Sequence, residues 1–352
     1  MAIAGETANP GGAFAALVEL EGLSLLNRSS EAPQFVVHRL VQEVTRLRQE
    51  LAQEPDERVA AIDWIYRAFI QILQNTGNWD LLDEIAPHAE LIARLNLSGE
   101  TLKYAAFLLH QIGVLRLRQM AFVDAERLLL ESVLLTGDFS GKRSAEFSAC
   151  LANLANTILR LPGRYSEAID LLNQALNIAK ECHGKNSAEA ARIYTNLGFS
   201  DSFSGRVSDA SEMLKTAEDI VFENNLDDKE ILAVNFSNMS KERYLVGKEA
   251  EDDEILAMAE SFAFKAVVVA WTSDYVNASI HRVVFLQNLA GILICSSKSR
   301  EAEKVCREAL TLAQKTFPTG HPFIAQVMHN LASTIHCLVI SNKDEALLSE
   351  AE

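Results

Sequence analysis

At 352 residues the chain is longer than one ordinary hydrophobic core serves, so it is either two domains or a solenoid that grows by adding units. Its 48 acidic against 32 basic residues give a formal net charge of -16, which repels nucleic-acid phosphates and anionic membrane surfaces and sets both aside as partners. Five scattered cysteines (Cys150, Cys182, Cys295, Cys306, Cys337) include no CxxC pair, so neither a disulfide framework nor a zinc site is implied, and a reducing cytoplasmic setting fits.

In chain order, residues 1–11 have no basic or apolar signal region and read as a disordered tail. The most apolar run, "AVVVAW" at 266–271, is too short to span a bilayer, so a chain that is neither secreted nor membrane-embedded is expected. Residues 12–53 run through an apolar stretch (Leu23 to Leu26), a polar turn (Asn27 to Pro33), a strand-like run (Phe35 to Val37) and a helix from about Arg39. Strand, turn, strand, helix is the back half of a winged helix, too small to bury a core alone. Residues 57–99 hold two helical stretches, "ERVAAIDWIYRAFIQILQ" and "WDLLDEIAPHAELIARL", and read as a degenerate first repeat or cap.

Residues 101–342 repeat. Gln111-Ile112-Gly113, Asn153-Leu154-Ala155, Asn196-Leu197-Gly198, Asn238-Met239-Ser240, Asn288-Leu289-Ala290 and Asn330-Leu331-Ala332 recur at intervals of 42, 43, 42, 50 and 42. Three residues before each central apolar position stands another: Leu109, Leu151, Tyr194, Phe236, Leu286 and Met328, on the same helical face. A second pattern follows: Ala125, Ala168, Ala210, Ala259 and Ala302, then Leu129, Leu172, Leu214, Ala263 and Cys306, then Ser132, Ala175, Ala217, Ala266 and Ala309. Positions i, i+4 and i+7 form a stripe of mostly small residues against which a second helix can pack closely, so each unit is a helical hairpin. Pro162-Gly163, Gly205, Gly247 and the Pro318 to Pro322 segment punctuate the units. The insertion "GKEAEDDE" at 247–254 accounts for the interval of 50 and reads as a solvated loop. Residues 343–352 begin an incomplete last helix.

These residues carry a resemblance. Leu-x-x-Asn-Leu-Ala/Gly followed by Ala-x3-Leu-x2-Ala resembles the tetratricopeptide repeat, and the period with "GHPFIAQVMHNLA" is similar to its kinesin-light-chain variety. The resemblance implies an all-α, right-handed superhelical solenoid that binds a protein or peptide in its concave groove. The runs "AALVELEGLSLL" and "FVVHRLVQEV" resemble the winged-helix end of STAND (NB-ARC-like) signalling ATPases, many of which continue into such repeats. That likeness makes His38 a vestigial nucleotide-sensing position. "SGKRSAE" and "HGKNSAE" do not complete a GxxxxGK[ST] phosphate cradle, so ATP hydrolysis by this chain is not expected.

An Asn one position before a core residue is rotated about 100° from it and lies at the edge of the inner face. Stacked units would align Gln111, Asn153, Asn196, Asn238, Asn288 and Asn330 as a ladder whose amides can pair with the N–H and C=O of an extended peptide. Similar asparagines in peptide-sensing members of the resembled family hold peptide backbone. The alternative is that each amide bonds the adjacent repeat and only fixes stacking. Asn156, Arg160, Arg192, Lys241, Arg243 and Arg282 make the neighbouring positions mildly basic.

No GxSxG, HExxH or paired-carboxylate pattern occurs, and His329 and His336 are about 10 Å apart along a helix, too far to share a metal. The expectation is a cytoplasmic binding module without cofactor, metal or catalysis, the sensor or scaffold arm of a STAND-type system with a separately encoded ATPase or effector. The alternatives are a peptide-responsive regulator using the winged-helix remnant and a scaffold that self-associates.

Overall fold

The computed structural model of the protein describes residues 26–28, 35–37, 57–75, 79–94, 99, 101–224, 228–273, 278–317 and 319–342. Two short strands, β1 (Leu26–Arg28) and β2 (Phe35–Val37), pair antiparallel with Leu26 opposite Val37 and Arg28 opposite Phe35. β2 coincides with the strand-like run read from the sequence, whereas β1 shares only Leu26 with the expected apolar stretch and takes in Asn27 and Arg28 of the expected turn, whose remaining residues lie outside the described ones. The helix expected from Arg39, His38, the 1–11 tail and residues 343–352 lie outside the described residues.

Helices follow: α1 (Glu57–Asn75), α2 (Trp79–Ala93), α3 (Thr101–Arg118), α4 (Phe122–Phe139), α5 (Ala145–Ile158), α6 (Tyr165–His183) and α7 (Ala188–Phe203). After them come α8 (Val207–Glu223), α9 (Lys229–Ala250), α10 (Asp253–Thr272), α11 (Ala278–Cys295), α12 (Ser299–Thr316) and α13 (Pro322–Asn342). The chain forms two compact units, Met1–Leu108 and Leu109–Glu352.

In the first unit α1 packs on α2, burying Ile62, Ile65 and Phe69 against Leu82, Ala86 and Ala89, while Tyr66 meets Tyr104 and Phe107 with ring centroids 4.4 and 5.0 Å apart. Leu82, Ala86 and Ala89 have the i, i+4, i+7 spacing of the later second helices and stand 43 residues before Ala125, Leu129 and Ser132. Phe69 stands the same 43 residues before Ile112. The segment is thus a helical pair in register with the array. Its motif was illegible because Ala68-Phe69-Ile70 replaces the amide, the leucine and the small residue.

In the second unit first helices alternate with second helices, and from α4 to α13 each packs on its chain neighbour. All fifteen positions of the second-helix stripe are buried, as are the central residues Ile112, Leu154, Leu197, Met239, Leu289 and Leu331. Met328 departs from its column and is 54% exposed, on the last described helix. Ser144, Ser187 and Asp228 cap α5, α7 and α9 by accepting from Phe147, Ala190 and Ile231 N–H, caps of about 1 kcal/mol each.

The insertion is not a loop. Lys248, Glu249 and Ala250 extend α9, Glu251 turns through φ 53°, and Asp252 caps α10 by accepting from Glu254 and Ile255 N–H. Lys, Glu and Ala are strong helix formers, so acidity alone was a poor guide. Gly247, taken as a breaker, lies inside α9, where an added Cβ would come within 3.0 Å of Leu256. Gly163 and Gly205 do sit in turns, at φ 81° and 78°.

Two helices, α10 and α11, have a mean hydropathy of 1.5 and are long and apolar enough by composition alone to cross a membrane. In the array Ala259, Ala263, Ala266 and Ala270 of α10 are buried, as are Val283, Phe285, Leu286 and Leu289 of α11. The longest unbroken apolar run, 266–271, marks only the end of α10 and none of α11.

Candidate functional site

The ladder residues occupy equivalent places on α3, α5, α7, α9, α11 and α13. Asn238 is 7% exposed and the others are half-buried, the edge-of-core placement expected from helical rotation. Their partners divide them. Asn153 Nδ2 lies 2.9 Å from His110 Nε2, Asn238 Nδ2 donates to the Thr195 carbonyl at 3.3 Å, and Asn288 Nδ2 donates to Ser237 Oγ at 2.9 Å. Each bond reaches the preceding first helix, so these rungs fix stacking through an amide N–H and keep Oδ1 without a partner among the described residues. The side-chain amides of Gln111, Asn196 and Asn330 have no hydrogen-bond partner among the described residues, so water or a bound chain must satisfy them.

This division has a measurable consequence. Asn238→Ala should lower stability by about 1 kcal/mol, the net worth of one buried hydrogen bond, while Asn196→Ala should leave the thermal midpoint unchanged. Calorimetry of the two variants checks it, and equal losses would contradict the partner assignment.

Asn153 belongs to a further cluster. His110 Nδ1 lies 3.3 Å from Cys150 Sγ, which also meets Thr136 Oγ1 at 3.6 Å and Ser132 Oγ at 3.7 Å. Burial holds the His110 pKa down at about 4, so the ring is neutral at pH 7. With Asn153 donating to Nε2, the ring proton sits on Nδ1 and donates to the sulfur. Cys, His and Asn together suggest a nucleophile set, but burial pushes the Cys150 thiol up and the imidazole nitrogen facing it is a donor. The cluster ties α3, α4 and α5 together as neutral groups. Among the described residues no group of three His, Cys, Asp or Glu is placed to hold a metal.

The basic neighbours also divide. Arg192 pairs with Asp228 at 2.9 Å, Arg243 donates to Ser211 Oγ at 3.1 Å, and Arg282 donates to the Ala270 carbonyl at 2.8 Å. Arg192 is therefore neutralised at the start of α9 and is not grouped with the other two predicted cations. Arg160 and Lys241 converge on Phe199, their charged groups each 5.2 Å from its ring centroid. Burial, and then Arg160, push the Lys241 pKa down to about 8, and burial also lowers that of Arg160. Arg160 is nonetheless open to solvent, the combination expected on the floor of a concavity.

The second unit curls far enough for its ends to meet. Arg118, ending α3, interacts electrostatically with Glu230 on α9 and His281 on α11, and His321 hydrogen-bonds its backbone just before α13. Burial lowers the Arg118 pKa to about 10, opposed by Glu230.

Sequence reasoning missed Asn235, 1% exposed, whose Nδ2 donates to the Leu214 carbonyl at 3.0 Å and whose Oδ1 accepts from Thr195 Oγ1 at 3.3 Å. A signal existed. Its column otherwise reads Leu108, Cys150, Ile193, Phe285 and Val327, all buried, so a lone amide there had to be satisfied internally. Phe199 and His110 carried no comparable mark.

Helical pairs with a buried small-residue stripe and an amide at the inner edge of each first helix define an all-helical tetratricopeptide-repeat solenoid. Tetratricopeptide-repeat family models match residues 147–221 and 285–323, covering α5 to α8 and most of α11 and α12. No curated protein matches the chain. Among solved structures it is similar to NprR in complex with its cognate peptide NprX, with TM-score 0.62, 15% identity, and 97% of this chain and 87% of that one covered. A Rap protein complexed with Competence and Sporulation Factor matches with TM-score 0.60 and 15% identity, covering 87% of this chain and 78% of that one. A Signal Transduction ATPase with Numerous Domains (STAND) from Pyrococcus horikoshii, with a tetratricopeptide repeat sensor, matches with TM-score 0.59 and 18% identity. That match covers 98% of this chain and 46% of the Pyrococcus protein, so the chain spans about half of it.

Proposed function

We propose that the protein is a peptide- or protein-binding module that holds an extended segment across its first helices, as the sensor or scaffold arm of a STAND-type signalling system. The observation that carries the reading is the amide capacity of the ladder that no described residue takes up: whole amides at Gln111, Asn196 and Asn330, and the Oδ1 atoms of Asn153, Asn238 and Asn288. In this division the pinned rungs present acceptors to a peptide N–H, and the open rungs answer both backbone groups. Two solved structures of similar fold are complexes with a peptide or a signalling factor, which supports the binding mode. The STAND placement is supported by the Pyrococcus fold match and by the strand pair ahead of the helices.

The test is selection of displayed random peptides on the immobilised protein and on a Gln111→Ala/Asn196→Ala/Asn330→Ala form, with circular dichroism reporting the fold of each. Because these three amides have no partner among the described residues, the variant should stay helical and recover at least tenfold fewer peptides, each rung carrying a hydrogen bond of about 1 kcal/mol. Equal recovery by both forms would place binding away from the ladder, and no selection by the intact protein would defeat the peptide reading itself.

A further inference from the structure

Helix α10 buries only Ala259, Ala263, Ala266 and Ala270 and turns its large apolar side chains outward. Met258, Phe264, Val268 and Trp271 are all exposed, Phe264 at 59% and Trp271 at 41%. The same places of the repeat hold Glu167, Asn173, Asn177 and Lys180 on α6, and Glu301, Arg307, Thr311 and Gln314 on α12. Helix α4 shares only the middle two, as Leu130 and Leu134. Stacking of the repeats therefore does not require apolar residues there.

Ala257, Ser261, Phe264, Val268 and Trp271 follow at intervals of four and three, the heptad spacing that lines side chains along one seam for a second helix. From Ala257 to Thr272 the exposed positions carry one charge, Lys265, whose ammonium is drawn over the Phe236 and Phe262 rings at 5.5 and 4.9 Å from their centroids. The seam is graded, small at Ala257 and Ser261 and large from Phe264 to Trp271. Beside its small end runs a groove of about 540 Å³, in which Leu289 and Leu293 of α11 and Val305 of α12 join Ala257, Ser261 and Phe264 as lining. The Trp271 indole stands about 15–20 Å farther along the same helix, with the Arg282 guanidinium 5.6 Å from its ring centroid.

We infer that two copies of the chain pair α10 against α10, antiparallel about a two-fold axis, with Trp271 of each copy seated in the groove beside Ala257 and Ser261 of the other. Antiparallel pairing sets the small end against the large end, so the interface uses the indole and the groove twice and closes. Parallel pairing would set indole against indole and leave both grooves empty. A seam without exposed acids also lets two chains of net charge -16 meet without opposing carboxylates. At their exposures Phe264 and Trp271 leave roughly 200 Å² of aromatic surface uncovered per copy, and Met258 and Val268 raise this to roughly 350 Å², the size of patch that marks an interaction site. Doubled and ringed by polar contacts, the area reaches about 1,200 Å², the lower end for a specific interface, so a dimer of roughly micromolar affinity is expected. Because α10 is a second helix and the amide ladder stands on the first helices, the pairing is independent of the peptide reading.

The experiment is sedimentation equilibrium of the full chain over roughly 1–200 μM, the range that an interface of this area sets. The parent should pass from monomer to dimer and go no further. Trp271→Ala removes the indole, and Ala257→Arg fills and charges the groove from an open helix position where the parent melting point should be kept. Each should weaken dimerisation at least tenfold, as loss of a central anchor does. Mixed in equal amounts, the two variants should form a heterodimer tighter than either homodimer, because the intact indole of the Ala257→Arg copy meets the intact groove of the Trp271→Ala copy. A parent that stays monomeric, a parent that grows into larger assemblies, a dimer that Ala257→Arg leaves unchanged, or variants that do not recombine would each overturn the inference. A monomeric parent that co-sediments with phosphatidylcholine vesicles would overturn it as well and give the seam to a lipid surface.

Discussion

Gly198→Ala is expected to destabilise the protein by up to about 2 kcal/mol, although alanine is the better helix former. A Cβ built at Gly198 falls 2.5 Å from Leu214 Cγ, 2.7 Å from its Cδ2 and 3.1 Å from the Ala210 carbonyl oxygen. Leu214 and Ala210 are both 0% exposed, so neither can swing away, and part of the obstruction is backbone. Overpacking of this kind costs about 1–3 kcal/mol, against which the helical preference of Ala over Gly returns about 1. Gly291 in α11 is the control. Nothing lies within 4 Å of its added Cβ, so Gly291→Ala should raise stability by about 0.5–1 kcal/mol. Thermal melts of both variants, with amide exchange on α7 and α8 for Gly198→Ala, read the result. A Gly198→Ala protein as stable as the parent would mean that these two helices separate freely, against the close packing described above.

Acid should weaken the protein between pH 6.5 and about 4, and His110 should carry much of the effect. Its folded pKa is lowered by burial from 6.5 to about 4. In that window the unfolded chain binds a proton that the folded chain refuses, so stability rises with pH and is lost as acid is added. Above 6.5 both states hold a neutral ring and the contribution vanishes. A displacement of this size corresponds to about 3 kcal/mol when fully developed. Burial also lowers the pKa of His281 and of His321, so both act in the same direction. The measurement is the urea midpoint at pH 7 and pH 4.5 for the parent and for His110→Gln, whose amide can still bond Asn153 but does not titrate. The variant should lose much less between the two conditions. An equal loss would show that protonation of the α3–α5 knot is not what acid attacks.

Much of this architecture was legible in the chain. The i, i+4, i+7 spacing of Ala168, Leu172 and Ala175 and its copies places small residues on one helical face, and all of these positions are buried. The period was legible for the same reason, since each pair stacks on its neighbour through the same few positions. The first pair was legible as two helical stretches, a degenerate repeat or cap, but its register was not, because Phe69 stands without the flanking amide; and the acidity of the 247–254 segment pointed to a loop where the chain is helical. The ladder residues were legible as positions and illegible as chemistry.

Hairpin units, their order and the buried stripe follow from the sequence alone, because on a helix the spacing of side chains maps directly onto faces. Only the tertiary structure decided which amides are spoken for, which cations are neutralised, and that Arg118 meets the turn before α13. Asn153 finds His110, Asn238 finds Thr195 and Arg192 finds Asp228 one repeat away in the chain, while Arg160 and Lys241 meet at Phe199. Those pairings depend on the angle at which one hairpin stacks on the next and on the curl that accumulates over several, and no local spacing encodes either.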